Sequence, residues 1–186
     1  MTNPAPIILP FRGIMPKIHP TAFIAPGAVV IGDVEIGADS SIWFGCVVRG
    51  DMQKIRIGAR TNIQDGTIVH VATGENPPGL QGKMPAEGYP TIIGDDVTVG
   101  HMVLLHACVV ESKAFVGMKS IVMDGAKIES KAMLATGGLL TPGKTVPAGE
   151  LWAGSPAKLW RKLTDDDYAQ FDLRSAQYVK LAAEYR

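Results

Sequence analysis

Aliphatic residues recur every six positions along most of this chain of 186 residues, and this period constrains the fold more than any other feature. A period of six fits neither the 3.6-residue repeat of an α-helix nor the two-residue alternation of an ordinary strand. It indicates a parallel β-solenoid in which each six-residue unit forms one side of a triangular coil. With slips between blocks, the aliphatic positions are Ile18, Ile24, Val30, Ile36, Ile42, Val48, Ile57, Ile63, Val69, Ile93, Val99, Leu105, Val110, Val116, Val122, Ile128, Leu134, Leu140 and Val146.

A second layer of the pattern supports the solenoid. A small or β-branched residue lies four positions after most of the aliphatic ones, and glycine often follows them directly, as in Ile36-Gly37 and Val99-Gly100. We therefore expect the aliphatic side chain to point into the shaft and glycine to relax the turn. The pattern is similar to that of hexapeptide-repeat proteins, and this resemblance implies an all-β solenoid that is a left-handed parallel β-helix.

Interruptions of the period divide the chain into segments. Residues 1–17 precede the repeat as an N-terminal extension, and residues 18–150 form the solenoid. Residues 72–90 are rich in glycine and proline, which predicts a loop inserted into the solenoid. Residues 151–186 are predicted to form a connecting turn and a C-terminal α-helix, because Thr164 can cap a helix and an apolar stripe follows it at helical spacing. The stripe is expected to pack along the prism or against a neighbouring subunit.

Composition and charge restrict the partners of the chain. Lysine and arginine number 18, and aspartate and glutamate also number 18, so the formal net charge is zero. This balance argues against a nucleic-acid partner. The apolar run Ile7-Ile8-Leu9 is too short for a signal peptide or a membrane span. With only Cys46 and Cys108, a disulfide scaffold is excluded, and a reducing, cytoplasmic location is expected.

Three of the four histidines, His70, His101 and His106, lie close to interruptions of the repeat. Three imidazoles and a water make an open catalytic metal site. His70 follows the inward Val69 and His106 follows the inward Leu105, so their side chains are predicted to stack about 5 Å apart on adjacent coils. His101 has a different phase, which predicts that a neighbouring copy supplies it. A three-sided prism packs readily about a threefold axis, and a homotrimer is therefore expected.

Two further motifs accompany the histidines, namely Arg49-Gly50-Asp51 and Asn62-Ile63-Gln64-Asp65-Gly66. In this order, the motifs and the histidines resemble those of the γ-class carbonic anhydrases, and the resemblance extends to the helix that carries Tyr178. It implies reversible hydration of carbon dioxide to bicarbonate by a zinc-bound hydroxide at a trimer interface. The implied metal is Zn²⁺, with Fe²⁺ or Co²⁺ as alternatives, and its implied ligands are His70, His106 and the His101 of an adjacent subunit.

The same resemblance implies roles for the polar residues of the motifs. Gln64 would orient the hydroxide, and Arg49 and Asp65 would form a charge pair near the bicarbonate site. Asp51 and Asn62 would brace the interface, and the resemblance also counts Tyr178 among the catalytic residues.

The chain departs from this family at two positions that move the proton. Founding members carry glutamates where this sequence has Met52 and Thr73, and neither side chain carries a proton at neutral pH. Glu75 and Glu87 in the inserted segment are candidate replacements. Three functions besides that of a carbonic anhydrase therefore stay open: a hexapeptide acyltransferase that uses acyl-coenzyme A, a metal-dependent thioesterase, and a catalytically weak metal-binding trimer.

Overall fold

The structure, a computed structural model, describes residues 5–74 and 85–186. It confirms the predicted fold class: the chain is a left-handed parallel β-helix of hexapeptide repeats followed by a C-terminal α-helix. Strands of successive coils pair in parallel, and they form three faces, called A, B and C below. The aliphatic residues of the six-residue period fill the shaft, where Val69 and Leu105, for example, are fully buried.

The faces are built from short strands in chain order. Face A holds β1 (Ile7–Leu9), the first parts of β4 (Val29–Ile36) and β6 (Val47–Ile57), β8 (Ile68–His70), β11 (Leu104–His106), β14 (Ile121–Val122) and β17 (Leu139–Leu140). Face B holds β2 (Lys17–Ile18), the second parts of β4 and β6, β9 (Thr91–Ile93), β12 (Val109–Val110), β15 (Lys127–Ile128) and β18 (Thr145–Val146). Face C holds β3 (Phe23–Ile24), β5 (Ser41–Ile42), β7 (Asn62–Ile63), β10 (Thr98–Val99), β13 (Phe115–Val116), β16 (Met133–Leu134), β19 (Glu150–Gly154) and β20 (Ala157–Lys162).

The C-terminal helix α1 (Asp165–Glu184) covers face C of its own chain, the first of the two packings that the sequence allows. Thr164 caps the helix, and its side chain and that of Asp167 satisfy each other's backbone N–H groups in a capping box. Phe171 is buried and stacks on Phe115 of β13, with ring centroids 5.2 Å apart. Within the described residues, no helix combines the length and the apolar character needed to cross a membrane.

Both ends of the solenoid contain more strand than the period predicts. The segment expected to be a connecting turn begins with an antiparallel hairpin of β19 and β20, because β20 folds back to pair with β19 after the turn at Gly154. At the other end, β1 lies in the expected extension and pairs with β4, with Ile7 opposite Val29. The period misses these strands because cross-strand hydrogen bonds, rather than inward aliphatic residues, define them.

The inserted segment leaves the shaft at the corner between faces A and B. It follows His70 at the end of β8 and returns at Thr91, the first residue of β9. Ala72 N donates to Tyr89 O at 3.2 Å, so the two ends of the segment lie side by side. Because β8 and β9 both pair with the preceding strand β6, they continue two faces of a single coil.

The outward side chains of face A form an unbroken apolar ladder. One aligned row runs across seven strands and contains only aliphatic residues: Ile7, Val29, Val47, Ile68, Leu104, Ile121 and Leu139. The corresponding row of face B is largely charged or polar: Lys17, Glu35, Arg56, Ile92, Val109, Lys127 and Thr145. Face A therefore presents a continuous apolar strip that no element of the described chain covers.

Candidate metal centre

Two histidines meet at the corner between faces A and B. His70 ends β8 and His106 ends β11, and the two residues are direct partners in the parallel register. Their ring centroids lie 5.2 Å apart, and His70 Nδ1 lies 3.3 Å from His106 Nε2. The predicted stacking of these side chains on adjacent coils is therefore confirmed.

A carboxylate holds the far side of each ring. His70 Nε2 lies 3.0 Å from Asp51 Oδ1, and His106 Nδ1 lies 3.0 Å from Asp124 Oδ1. An ionised carboxylate only accepts hydrogen bonds, so each neutral imidazole places its single N–H toward its carboxylate. The lone pairs of His70 Nδ1 and His106 Nε2 then face each other, an arrangement that a shared proton or a bound cation would stabilise.

The separation of these two nitrogens suits a tetrahedral metal. Two nitrogen ligands at about 2.05 Å from zinc, with a tetrahedral angle between them, lie about 3.3 Å apart. The observed distance of 3.3 Å matches this value. Within residues 5–74 and 85–186 of one chain, no group of three or more His, Cys, Asp or Glu side chains is placed to hold a metal. One chain therefore brings together two of the three histidines that the sequence predicts as metal ligands.

The surroundings of His70 and Asp51 shift both pKa values downward, which favours a neutral imidazole and an ionised carboxylate. Burial lowers the pKa of His70 below its ordinary value, although Asp51 opposes the shift. Burial alone raises the pKa of Asp51, but hydrogen bonds from Arg49 and His70 outweigh it, and the net pKa is lowered. A neutral imidazole braced by an ionised carboxylate is the form that binds metals.

The third histidine lies at the opposite edge of face A. His101 belongs to the corner that joins β10 on face C to β11 on face A, and its Nδ1 lies 2.9 Å from Asp65 Oδ2. Asp65 and Gln64 occupy the same corner one coil earlier, where Met102 N donates to Asp65 O at 2.9 Å. The structure therefore brings together His101, Gln64 and Asp65, and it separates them from the histidine pair.

A buried chain of side-chain hydrogen bonds orients Gln64. Gln64 Nε2 donates to Asn62 Oδ1 at 3.0 Å, and Asn62 Nδ2 donates to Thr98 Oγ1 at 3.0 Å. All three side chains are buried. Because the amide nitrogen is engaged, Gln64 Oε1 is left as the acceptor, and no hydrogen bond within the described residues uses it.

Tyr178 of helix α1 belongs to the same edge. Its ring packs against Trp43 in a T-shaped contact, with centroids 5.4 Å apart. Burial raises the pKa of Tyr178, and the charge of Asp65 raises it further, against a smaller effect of Arg174. The phenol therefore stays protonated and can donate a hydrogen bond at neutral pH.

Arg49 lies on the edge of the histidine pair and forms an ion pair with Asp51. The Arg49–Asp65 pair that the resemblance implies is therefore absent from a single chain, because Asp65 lies across the width of face A and bonds His101 instead. Between Arg49 and Asp51, Gly50 lies tightly against the preceding coil, where a Cβ atom would stand 2.6 Å from Asp33 O. Glycine at this position allows the Arg-Gly-Asp segment to approach so closely.

The positions that lack the family's glutamates lie near the pair. Met52 directly follows Asp51 and is exposed, and Thr73 follows His70 by three residues. Gln53 Nε2 donates to Glu87 O at 2.8 Å, which fastens the returning part of the loop beside Met52. Glu75 lies outside the described residues.

Sequence reasoning missed Asp124, although a signal was available. Asp124 follows His106 by 18 residues, whereas the register partners Leu105 and Val122 are 17 residues apart, so Asp124 lies one position past the partner of His106 on the next coil. A carboxylate about one coil after a candidate ligand is the signal to look for, because it can reach the ring of that ligand.

The coil and its corner histidines define a class: hexapeptide-repeat proteins with a candidate metal centre. The family model described as "Bacterial transferase hexapeptide (six repeats)" matches residues 15–50. The chain is 47% identical over 167 residues to "Gamma carbonic anhydrase 2, mitochondrial" of Arabidopsis thaliana, an alignment that covers 90% of this chain and 57% of the plant protein. It is 40% identical over 180 residues to "Carbonic anhydrase" of Geobacillus kaustophilus, covering 97% of this chain and 91% of that protein. The chain belongs to the γ-class carbonic anhydrase family.

A solved structure extends the similarity to the whole fold. The "hexapeptide transferase family protein" of Anaplasma phagocytophilum is 46% identical, with a TM-score of 0.86, and the match covers 97% of this chain and 98% of that one.

Proposed function

We propose that this protein hydrates carbon dioxide reversibly to bicarbonate at metal sites formed between the subunits of a homotrimer. The observation that carries the proposal is the pair of His70 and His106, whose facing nitrogens lie 3.3 Å apart while carboxylates hold their far sides. The names of the Arabidopsis and Geobacillus relatives support the same reaction.

The proposed trimer follows from the placement of groups around face A. The histidine pair and Arg49 lie along one edge, and His101, Gln64 and Asp65 lie along the other. If three chains turn their apolar ladders toward a common axis, each edge of one chain meets the opposite edge of the next. Every interface then contains three histidines, and Arg49 approaches the Asp65 of another chain. The ladder supplies the apolar area that such an association buries.

The donor set fits zinc, and it also accepts Fe²⁺ or Co²⁺, because imidazole suits all three ions. His70, His106 and the His101 of a neighbouring chain would hold the ion. A divalent metal bound by three neutral imidazoles keeps its full charge and lowers the pKa of a coordinated water to about 7, which creates a nucleophile at neutral pH.

The remaining residues orient and stabilise the reacting groups. With a metal bound, Gln64 Oε1 would accept a hydrogen bond from the nucleophilic water-derived oxygen and so hold that oxygen with a lone pair directed at the carbon of carbon dioxide. Asn62 holds this amide in place. The guanidinium of Arg49 favours the bicarbonate anion as its negative charge develops, while Asp51 and Asp65 fix Arg49 from its own chain and from the next. The raised pKa of Tyr178 keeps its hydroxyl protonated, so this residue is available as a hydrogen-bond donor at the edge of the site.

Each turnover must also export a proton. Because Met52 and Thr73 replace the family's glutamates, we expect slow turnover that depends on buffer as the proton acceptor. A cytoplasmic location remains a prediction; the free thiols of Cys46 and Cys108 are compatible with it.

The transferase name of the Anaplasma structure favours a second candidate, acyl transfer from acyl-coenzyme A with a histidine as general base. A metal-dependent thioesterase and a trimer that uses its metal only for assembly also stay open. In the assembly case, chelation would dissociate the trimer, whereas an enzyme would lose turnover and remain trimeric.

The test combines metal analysis with stopped-flow carbon dioxide hydration, on protein purified without chelator and reloaded with zinc or iron. We expect about one metal per chain and turnover that His106→Ala abolishes. The matched control is His19→Ala, because His19 is exposed and, in the described part of the chain, its ring forms hydrogen bonds to the neighbouring Thr21 alone. Bound metal without turnover would favour a thioester substrate or a metal that serves only in trimer assembly. Protein without metal would contradict the site and favour the acyltransferase.

A further inference from the structure

We propose that Asp124 is a positioning residue of the metal centre, whose carboxylate fixes His106 in the tautomer that presents Nε2 to the metal. This inference rests on the proposed function, since it assumes that His106 is a ligand. Asp124 belongs to none of the motifs that identify the family here, and its role follows from the geometry of the corner.

The backbone of four successive coils fixes the place of Asp124 relative to the histidine pair. Ala107 N donates to His70 O at 3.0 Å, and Gly125 N donates to Ala107 O at 2.8 Å. On the other side, Gly143 N donates to Asp124 O at 3.0 Å. These corner hydrogen bonds form one column through the residue after His106 and the residue after Asp124, so the backbone holds the Asp124 carboxylate next to the His106 ring, 3.0 Å from its Nδ1.

Gly125 suits the left-handed backbone of this corner, which Ala107 also adopts one coil earlier with a φ of +50°. Gly125 has a φ of +65°, and the ring of Tyr89 lies 3.4 Å from the position that a Cβ atom would take. The aromatic ring and the left-handed backbone together hold the turn that presents Asp124.

The charge of Asp124 is directed to His106. In the described part of the chain, Asp51 shares its carboxylate between Arg49 and His70, whereas no lysine or arginine pairs with Asp124. An unshared carboxylate at 3.0 Å holds the N–H at Nδ1 and increases the electron density at Nε2. The lone pair of Nε2 then points toward His70 Nδ1. In the opposite tautomer Nε2 would carry hydrogen and could not bind a metal.

The first measurement needs no variant. In ¹H–¹⁵N spectra of the metal-free wild-type protein at a pH where His106 is neutral, the ring hydrogen is expected on Nδ1. A ring hydrogen on Nε2 would overturn the inference, whatever the protein catalyses.

The second measurement compares Asp124→Asn and Asp124→Glu by zinc competition with a chromophoric chelator and by the absorption spectrum of the cobalt-substituted protein. Asp124→Asn should weaken zinc binding about 10- to 100-fold and change the cobalt spectrum, because an amide can also donate to Nδ1 and stabilise the wrong tautomer. Asp124→Glu should recover most of the affinity. The matched control is Glu111→Gln, which removes a carboxylate that pairs with Lys127 on face B.

These outcomes separate the inference from the proposed function. Wild-type protein without zinc contradicts the proposed function. Wild-type protein with zinc, together with an Asp124→Asn variant of equal affinity and unchanged spectrum, contradicts the role of Asp124 alone. An equal loss in Glu111→Gln would also contradict it. Circular dichroism of the metal-free variants establishes that they fold. If Asp124→Asn does not fold, the tautomer measurement on the wild-type protein decides whether Asp124 positions His106.

Discussion

Two different inactive chains should rescue each other if each metal site draws on opposite edges of two subunits. His101→Ala removes the ligand of one edge, and His106→Ala removes a ligand of the other, so neither variant alone forms an intact site. In a trimer that contains both variants, one of the three interfaces joins an intact His101 to an intact histidine pair. Random mixing in equal amounts makes about three quarters of the trimers mixed and therefore restores about one quarter of the wild-type sites.

The assay co-expresses the two variants with different affinity tags and isolates trimers that carry both tags. We expect zinc content and carbon dioxide hydration to rise together from near zero to about one third of wild-type in the doubly selected trimers, since each has one site of three. Wild-type chains with the same two tags give the reference.

A second mixture is the matched control, because both of its defects lie on one edge. In trimers of His70→Ala and His106→Ala, every interface lacks one member of the histidine pair, so no activity should return. Doubly tagged trimers of His101→Ala and His106→Ala without recovered activity would refute the proposed interface. Recovery in the same-edge mixture would refute it as well.

Three further perturbations follow from the structure. Ile68→Asp, at the centre of the apolar ladder, should convert trimers to monomers in sedimentation velocity, whereas Val109→Asp on face B should not; a trimer that survives the first change would contradict the interface. Met52→Glu restores an acidic group beside Asp51 and should raise stopped-flow turnover about a hundredfold; an unchanged rate would show that proton export is not limiting. Hydrogen bonds from Arg161 hold the pKa of Asp167 well below its usual value, so Asp167 stabilises the fold above about pH 4, and this contribution is lost as the pH falls through the folded pKa. Asp167→Asn should therefore lower the free energy of unfolding in urea more at pH 7 than at pH 3. Equal losses at the two pH values would contradict the predicted pH dependence.

The shaft and the histidine pair could be predicted because the period fixes which side chains point inward. Val69 and Leu105 must fill the same interior on successive coils, and the residues that follow them must then meet outside. The pairing of His70 with His106 follows from this phase once residues 72–90 are taken to replace one coil's worth of chain, without knowledge of any side-chain contact.

Corner interactions were harder to predict, because no inward residue fixes their geometry. The partner of His106 is Asp124 on the next coil, one position past the register partner, and the period gives neither this offset nor the direction of the side chain. The implied Arg49–Asp65 pair shows a second limit. One sequence cannot distinguish a contact within a chain from a contact between chains, and the structure places these two residues on opposite edges of face A.

The inserted segment shows how this scaffold can diversify. Because β8 and β9 are each held by strands above and below, the corner between them can carry an insertion of almost any length without disturbing the coils. Thr91 Oγ1 donates to His70 O and joins the two sides of the gap at its base. The same corner carries a candidate ligand, so evolution can exchange the surroundings of the proposed metal site by replacing one loop while His70 and its coil are inherited unchanged.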